Sequence, residues 1–157
     1  MGGAMHIYVF SSKNLTNIWA GIGAHKWAVS KVQGDNQSIR TKAKNLPIGS
    51  LGLLYCVDSQ SFTTPFLITS KPGAAQKVEN IWPEMWVLPF SISPLGTPKH
   101  QLHKDKLATL LPSLNSGKQW SHVLHVQPLT VFAPSEISDD DWAALVSVLI
   151  PQGTRHG

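Results

Sequence analysis

The 157-residue chain has a single cysteine, Cys56, and therefore no intramolecular disulfide. Its setting, LGLLYCV, reads as a buried, inert thiol and points to a cytoplasmic protein. Charged residues are scarce at 14%, while 42% of the chain is hydrophobic, which excludes a disordered chain beyond the ends. No apolar run reaches the roughly 18 residues a membrane span requires. The opening MGGAMHIYVF has neither a basic n-region nor a long apolar h-region, so it is not a secretory signal. GxGxxG, GxxxxGK[ST], GxSxG and HExxH are all missing, which removes the common nucleotide cradles, the serine elbow and the helical zinc site. The seven histidines include two pairs at spacing three, His100 with His103 and His122 with His125. Neither pair has a well-placed acid or a cysteine cluster, so surface histidines explain them better than metal ligands. No catalytic group, cofactor or metal is expected.

Tryptophan, by contrast, is abundant: six, several of them on turn-rich segments. Trp19 and Trp27 fall in NIWAGIGAHKW, and Trp82 and Trp86 in IWPEMW. Indoles near polar residues suit a pocket for something flat and partly apolar, such as a nucleobase or a methylated ligand. Packing accounts for Trp120 and Trp142, and helical spacing gives Trp19 a core role as well. That leaves Trp27 and Trp82 least explained, with Trp86 able to face either way. Charge is uneven too. Residues 1–97 hold eight Lys/Arg against four acids, whereas residues 98–157 hold five of each. Lys26, Lys31, Arg40, Lys42 and Lys44 surround one acid, Asp35, making a candidate phosphate-facing surface to which Lys13 also belongs. Solvated loop lysines are the plain alternative.

The length fits one domain over residues 6–150, with a flexible lead (1–5) and tail (151–157). HIYVF reads as a first strand ending at Ser11-Ser12-Lys13-Asn14. Asn14 or Thr16 then caps a helix over residues 15–24. Trp27–Val29 is briefly extended, and Lys31–Lys44 reads as a long polar loop. Strands follow at Leu51–Val57, Pro65–Thr69 and Trp86–Ile92, where Pro89 marks an edge or a bulge, and Lys71–Ala75 is a turn. Gln101–Leu111 reads as a short amphipathic helix, and Lys118–His125 leads into an extended piece. Ser138 and Asp141 form a capping box for a final helix, which explains the run of three aspartates better than a metal site does. The class is α+β, with a curved, mostly antiparallel sheet flanked by short helices.

The opening HIYVFSSKNLTNIWAGIGAHKWAVS resembles the start of YTH and EVE domains. There, a strand ending in Ser/Lys/Asn leads to a helix and then to a Trp followed by a small residue. LPIGSLGLLYCVDSQSFTTPFLITS looks like their central hairpin, and IWPEMWVLPFSISPL is similar to the next segment. The resemblance spans roughly residues 6–149. It implies a PUA-like fold, a curved antiparallel β-barrel flanked by short helices, and a non-enzymatic reader that flips a modified base into an aromatic cage. By position Trp27 and Trp82 would stack the base, and Trp86 or Trp19 would complete the cage. Ser11, Ser12 and Asn14 would read its edge, while Lys13, Lys26, Lys31, Arg40, Lys42 and Lys44 would hold phosphates. Ala28 replaces the Ser usual in eukaryotic YTH domains, and the segment after Trp27 is short. Both departures lean towards the EVE side, and towards DNA in preference to RNA. A nuclease or translocase domain or subunit is the further partner implied.

Two other readings stay open. One is an ASCH-type hydrolase of modified nucleosides, for which Lys13, Thr41 and Glu84 are the only candidates for a catalytic set. The other is a small-ligand or protein-interaction module.

Overall fold

In the computed structural model, residues 6–73, 77–114, 119–126, 130–135 and 137–151 are described. The lead expected over 1–5, most of the tail, the end of the 71–75 turn and the start of the 118–125 segment lie outside them.

Apolar residues run through the strands without alternating with polar ones, because both faces of the sheet are covered. In β1 (Ile7–Ser12), Tyr8 and Phe10 enter one core while Ile7 and Val9 enter another. In β3 (Leu51–Cys56), Leu54 and Cys56 join the first core and Leu53 and Tyr55 the second. The first core contains Trp27, Trp82 and Trp86; the second gathers Leu107, Leu145 and Leu149.

The sheet order is β1-β3-β4-β5-β2, where β2 is Lys26–Ser30, β4 is Ser61–Ile68 and β5 is Trp86–Pro94. A two-residue β6 (Leu102–His103) pairs with β4. The sheet is mixed, not purely antiparallel: β1 lies parallel to β3, Ile7 opposite Leu51, and the other pairings are antiparallel. A parallel pair needs a long crossover, and residues 13–50 provide it.

Two irregularities bend this sheet into a half-barrel. Between β3 and β4 the register shifts beside Pro65, and the Thr63 hydroxyl donates to the Leu54 carbonyl at 3.1 Å. Between β2 and β5 it shifts at Leu88, whose φ of 58° precedes Pro89, so the proline marks a bulge as its sequence position implied. Close approach explains one glycine: a Cβ on Gly52 would lie 2.2 Å from Cζ of Phe66, its cross-strand partner.

Helix α1 (Leu15–Ala24) starts where Asn14 accepts a hydrogen bond from the Asn17 N–H at 2.8 Å. It ends at His25, in the left-handed region at φ 56°, whose N–H returns to the Gly21 and Ile22 carbonyls. The expected 31–44 loop is instead two helices, α2 (Lys31–Gly34) and α3 (Gln37–Lys44). Side-chain caps drive both: Ser30 and Gln33 make a reciprocal capping box, and Asn36 accepts from the Ile39 N–H.

Residues 101–111 are not one helix. β6 and a 3-10 turn over Lys104–Lys106 occupy the first half, leaving only α4 (Leu107–Leu110). The His103 imidazole accepts from the Asp105 N–H and so starts the turn there. The 118–125 segment contains α5 (Trp120–Val123), and residues 127–129 of the extended piece expected after it lie outside the described residues. Trp120 packs on Tyr55 and Phe62, an apolar contact that alternation along a strand would not predict. Helix α6 (Asp139–Leu149) forms as expected, with the Ser138–Asp141 box in place.

Candidate functional site

β1 and β2 end the sheet order, so each has one edge with no strand partner among the described residues. A cavity of about 330 Å³ opens at this seam. Val9 to Ser12 of β1, with Lys13 just after it, line one side and Trp27 to Ser30 of β2 the other. Val32 and Gln33 of α2, Trp86 at the start of β5, and His125, Val126 and Val131 complete it. The volume is at the small end for ligand pockets, which run from about 300 to 1,000 Å³. It suits one flat group and not a large cofactor.

The three tryptophans that sequence reasoning singled out do converge, although not as two walls around a gap. Trp27 meets Trp82 edge-on at 5.5 Å and Trp86 edge-on at 5.0 Å. Trp82 and Trp86 stack on each other at 4.6 Å, 17° from parallel. No base fits between rings already in contact. Trp27 and Trp86 line the cavity, whereas Trp82 stands outside its lining, behind Trp86. Trp27 is 1% exposed and forms a floor; Trp86, at 9%, forms a wall.

The supports of this cluster lie on α1. The Trp82 indole N–H donates to the Asn17 carbonyl at 2.8 Å. The Asn17 amide donates to both carboxylate oxygens of Glu84, each at 3.2 Å, tying the 82–86 segment to the helix. One turn on, Gly21 lets the Trp27 ring approach: a Cβ there would lie 2.7 Å from the ring's Cε3. Rings held this way are fixed before any ligand arrives, so stacking need not order them.

The fourth indole does not join. Trp19 is 49% exposed and outside the cavity lining, because the buried face of α1 is Asn17, Ile18 and Gly21. Among the polar candidates, Ser11 and Ser12 line the cavity, and the Ser12 hydroxyl donates to the Asn14 carbonyl at 3.2 Å. Asn14 does not line it; its side chain is occupied as the α1 cap. Sequence reasoning missed Ser30, Gln33 and His125. The Ser30-x-x-Gln33 capping spacing was the available signal for the first two.

Of the basic candidates, Lys13 alone lines the cavity. Lys26 donates to the Ser91 hydroxyl at 3.1 Å, and Lys31 pairs with Asp35 at 2.6 Å. Arg40 stitches α3 to α2 through the Gly34 carbonyl and also donates to Gln37. Lys42 and Lys44 lie on α3, away from the cavity lining. Lys13, Thr41 and Glu84 do not come together as a catalytic set: Thr41 donates to the Gln37 carbonyl on α3, and Glu84 is bound to Asn17. Among the described residues, no group of three or more His, Cys, Asp or Glu could hold a metal ion.

No protein-family model matches the chain, and no curated protein is significantly similar to it in sequence. Solved structures are similar in fold. The YTH domain of Toxoplasma CPSF4, solved with a 7-mer m6A-modified RNA, superposes with a TM-score of 0.61 at 16% identity, covering 98% of this chain and 95% of that one. The fold is that of the YTH domains. The YTH domain of Zygosaccharomyces rouxii MRB1, solved with N6-methyladenosine RNA, gives 0.54 at 17% identity, covering 77% and 76%. The Mmi1 YTH domain, solved in complex with RNA, gives 0.55 at 13%, covering 94% and 79%. At such identities the likeness concerns the backbone alone. These neighbours are YTH domains, and the lean towards the EVE side drawn from Ala28 and the short following segment gains nothing from them. α2 and α3, unforeseen in the sequence, occupy that segment.

Proposed function

We propose that the chain is a non-enzymatic reader of a methylated base in RNA, and that the base enters the seam cavity to lie against Trp27 and Trp86. One observation carries the reading: in a YTH-type fold, the cavity at the open edge of the half-barrel has an indole floor and an indole wall, with Ser11, Ser12 and Ser30 at its polar rim. Each stacked base is worth about 1–3 kcal/mol, and burying a methyl group about 0.8 kcal/mol more. That sum offsets the few kcal/mol needed to unstack a base from a strand. RNA replaces the DNA preference drawn from the sequence, because neighbours of this fold were solved with N6-methyladenosine RNA. The base proposed is therefore N6-methyladenine.

The test is fluorescence titration of the chain with RNA 7-mers that carry adenosine or N6-methyladenosine at one position. Tighter binding of the methylated strand is expected, and Trp27→Ala should remove the difference. Equal binding of the two strands, or no binding at low salt, would sink the proposal.

A further inference from the structure

Indole cages accept methyl groups in two ways. A neutral methyl gains from apolar burial, whereas a cationic one is drawn to the negative face of the ring. Trp27 and Trp86 would serve either ligand, so the choice falls to the charged groups beside them. Among the described residues, no aspartate or glutamate lines the cavity. The titratable residues in its described lining are Lys13, just past the end of β1, and His125, from the turn after α5. Asp35 pairs with Lys31 and Glu84 is bound to Asn17, while the Asp58 N–H donates to the Lys13 carbonyl from outside the lining. α5 adds another histidine, His122. A cation entering here would meet the Lys13 ammonium, with no carboxylate among the described lining residues.

Resting on the base-reading proposal above, we propose that this cavity sorts methylated bases by charge: it admits neutral N-methylated bases and rejects cationic ones, with Lys13 as the filter. The geometry works against the ring faces for a cation and leaves a neutral methyl unaffected. A like charge brought to about 7 Å from an ammonium loses roughly threefold to fiftyfold in affinity, for effective dielectric constants between about 80 and 20. The same ammonium favours the phosphate that travels with a flipped nucleotide.

The experiment compares three RNA 7-mers that differ at one position, carrying adenosine, N6-methyladenosine or N1-methyladenosine. The two methylated bases are isomers, but the N1 form is cationic near neutral pH. All three strands share one backbone, so the N6-to-N1 affinity ratio cancels the attraction of phosphates to lysines. The ratio should exceed one at neutral pH. Lys13→Gln should cut it at least about threefold, and Lys13→Glu further. A purely steric rejection of the N1 methyl would leave the ratio unmoved by both substitutions, and that result overturns the filter. Equal or tighter binding of the N1 strand overturns it as well, as does binding of a trimethyllysine peptide. Loss of the preference for N6-methyladenosine over adenosine in the unmodified protein is a different result: it removes base reading, and the filter falls with it.

Discussion

Replacing Gly21 by alanine should damage the molecule although it improves the helix. In an exposed helix interior, Gly→Ala gains roughly 0.5–1 kcal/mol by restricting the unfolded chain. At Gly21 the added Cβ would lie 2.7 Å from Cε3 and 2.9 Å from Cζ3 of Trp27, and 2.8 Å from the Lys26 carbonyl oxygen. Neither neighbour is a flexible chain end. The carbonyl is backbone of β2, and the indole is boxed in by Trp82 and Trp86. Overpacking of this kind costs about 1–3 kcal/mol, and the backbone contact puts Gly21 towards the upper end, so the net loss should be about 1–2 kcal/mol. For a chain of this size that lowers Tm by about 2–8 °C. Gly23, two residues on, is the control, since a Cβ there meets nothing within 4 Å. Gly23→Ala should leave stability unchanged or raise it by up to about 1 kcal/mol. Urea denaturation followed by tryptophan fluorescence measures both variants, and titration with the N6-methyladenosine 7-mer reads the floor of the cavity. Gly21→Ala should lose affinity and Gly23→Ala should keep it. If the two variants are equally stable and bind equally, Gly21 does not position Trp27.

Trp82→Phe removes the indole donor to the Asn17 main-chain carbonyl; losing that hydrogen bond should cost about 0.5–1.5 kcal/mol and loosen Trp86, so unchanged stability and RNA affinity would contradict its supporting role. Ser30→Ala removes the α2 capping box, with an expected loss of about 1 kcal/mol; because α2 supplies Val32 and Gln33 to the cavity, RNA titration should show weakened binding as well. Asp141 is buried, which by itself pushes its pKa up, but hydrogen bonds from Ser113 and Ser138 outweigh that and hold it below the ordinary aspartate value. A depressed native value gives stability that is complete above the unfolded-state pKa and lost as pH falls through the native one. Asp141→Asn should therefore flatten the acid limb of a stability-against-pH curve, and an unaltered limb would assign acid sensitivity elsewhere.

What the sequence disclosed depended on whether local signals and long-range packing agreed. The strands were legible because both sheet faces are buried, which leaves unbroken apolar runs in β1 (Ile7 to Phe10), in β3 and in the second half of β4 (Pro65 to Ile68). α1 and α6 were legible from their caps, Asn14 and Ser138. α2 and α3 were missed because α3 buries only Ile39 and Ala43, and α2 only Gly34; apolar periodicity that thin reads as loop. Helical spacing gives Trp19 a core role, yet α1 buries Asn17, Ile18 and Gly21 and leaves Trp19 half-exposed. An asparagine and a glycine carry no hydrophobic signal, so the true face was invisible to periodicity. Convergence of Trp27, Trp82 and Trp86 could be anticipated from their turn-rich surroundings. That two of them would stack on each other could not, since it depends on where Glu84 and the indole of Trp82 meet Asn17.

That asparagine and that glycine sit one turn apart, and each serves an indole that the helix does not contain. Asn17 bonds the Trp82 indole through its carbonyl and Glu84 through its amide; Gly21 vacates the space taken by Trp27. Both are poorer helix formers than alanine or leucine, by about 0.5–1 kcal/mol each. A core selected for stability alone would place apolar side chains at these positions, and the helix would gain from them. Such a helix would push the floor of the cavity towards its wall and release Glu84, which ties the 82–86 segment to α1. The weak residues of α1 are therefore explained by the shape of the seam cavity, and a search for stabilising substitutions on its inner face should find them at the expense of ligand binding.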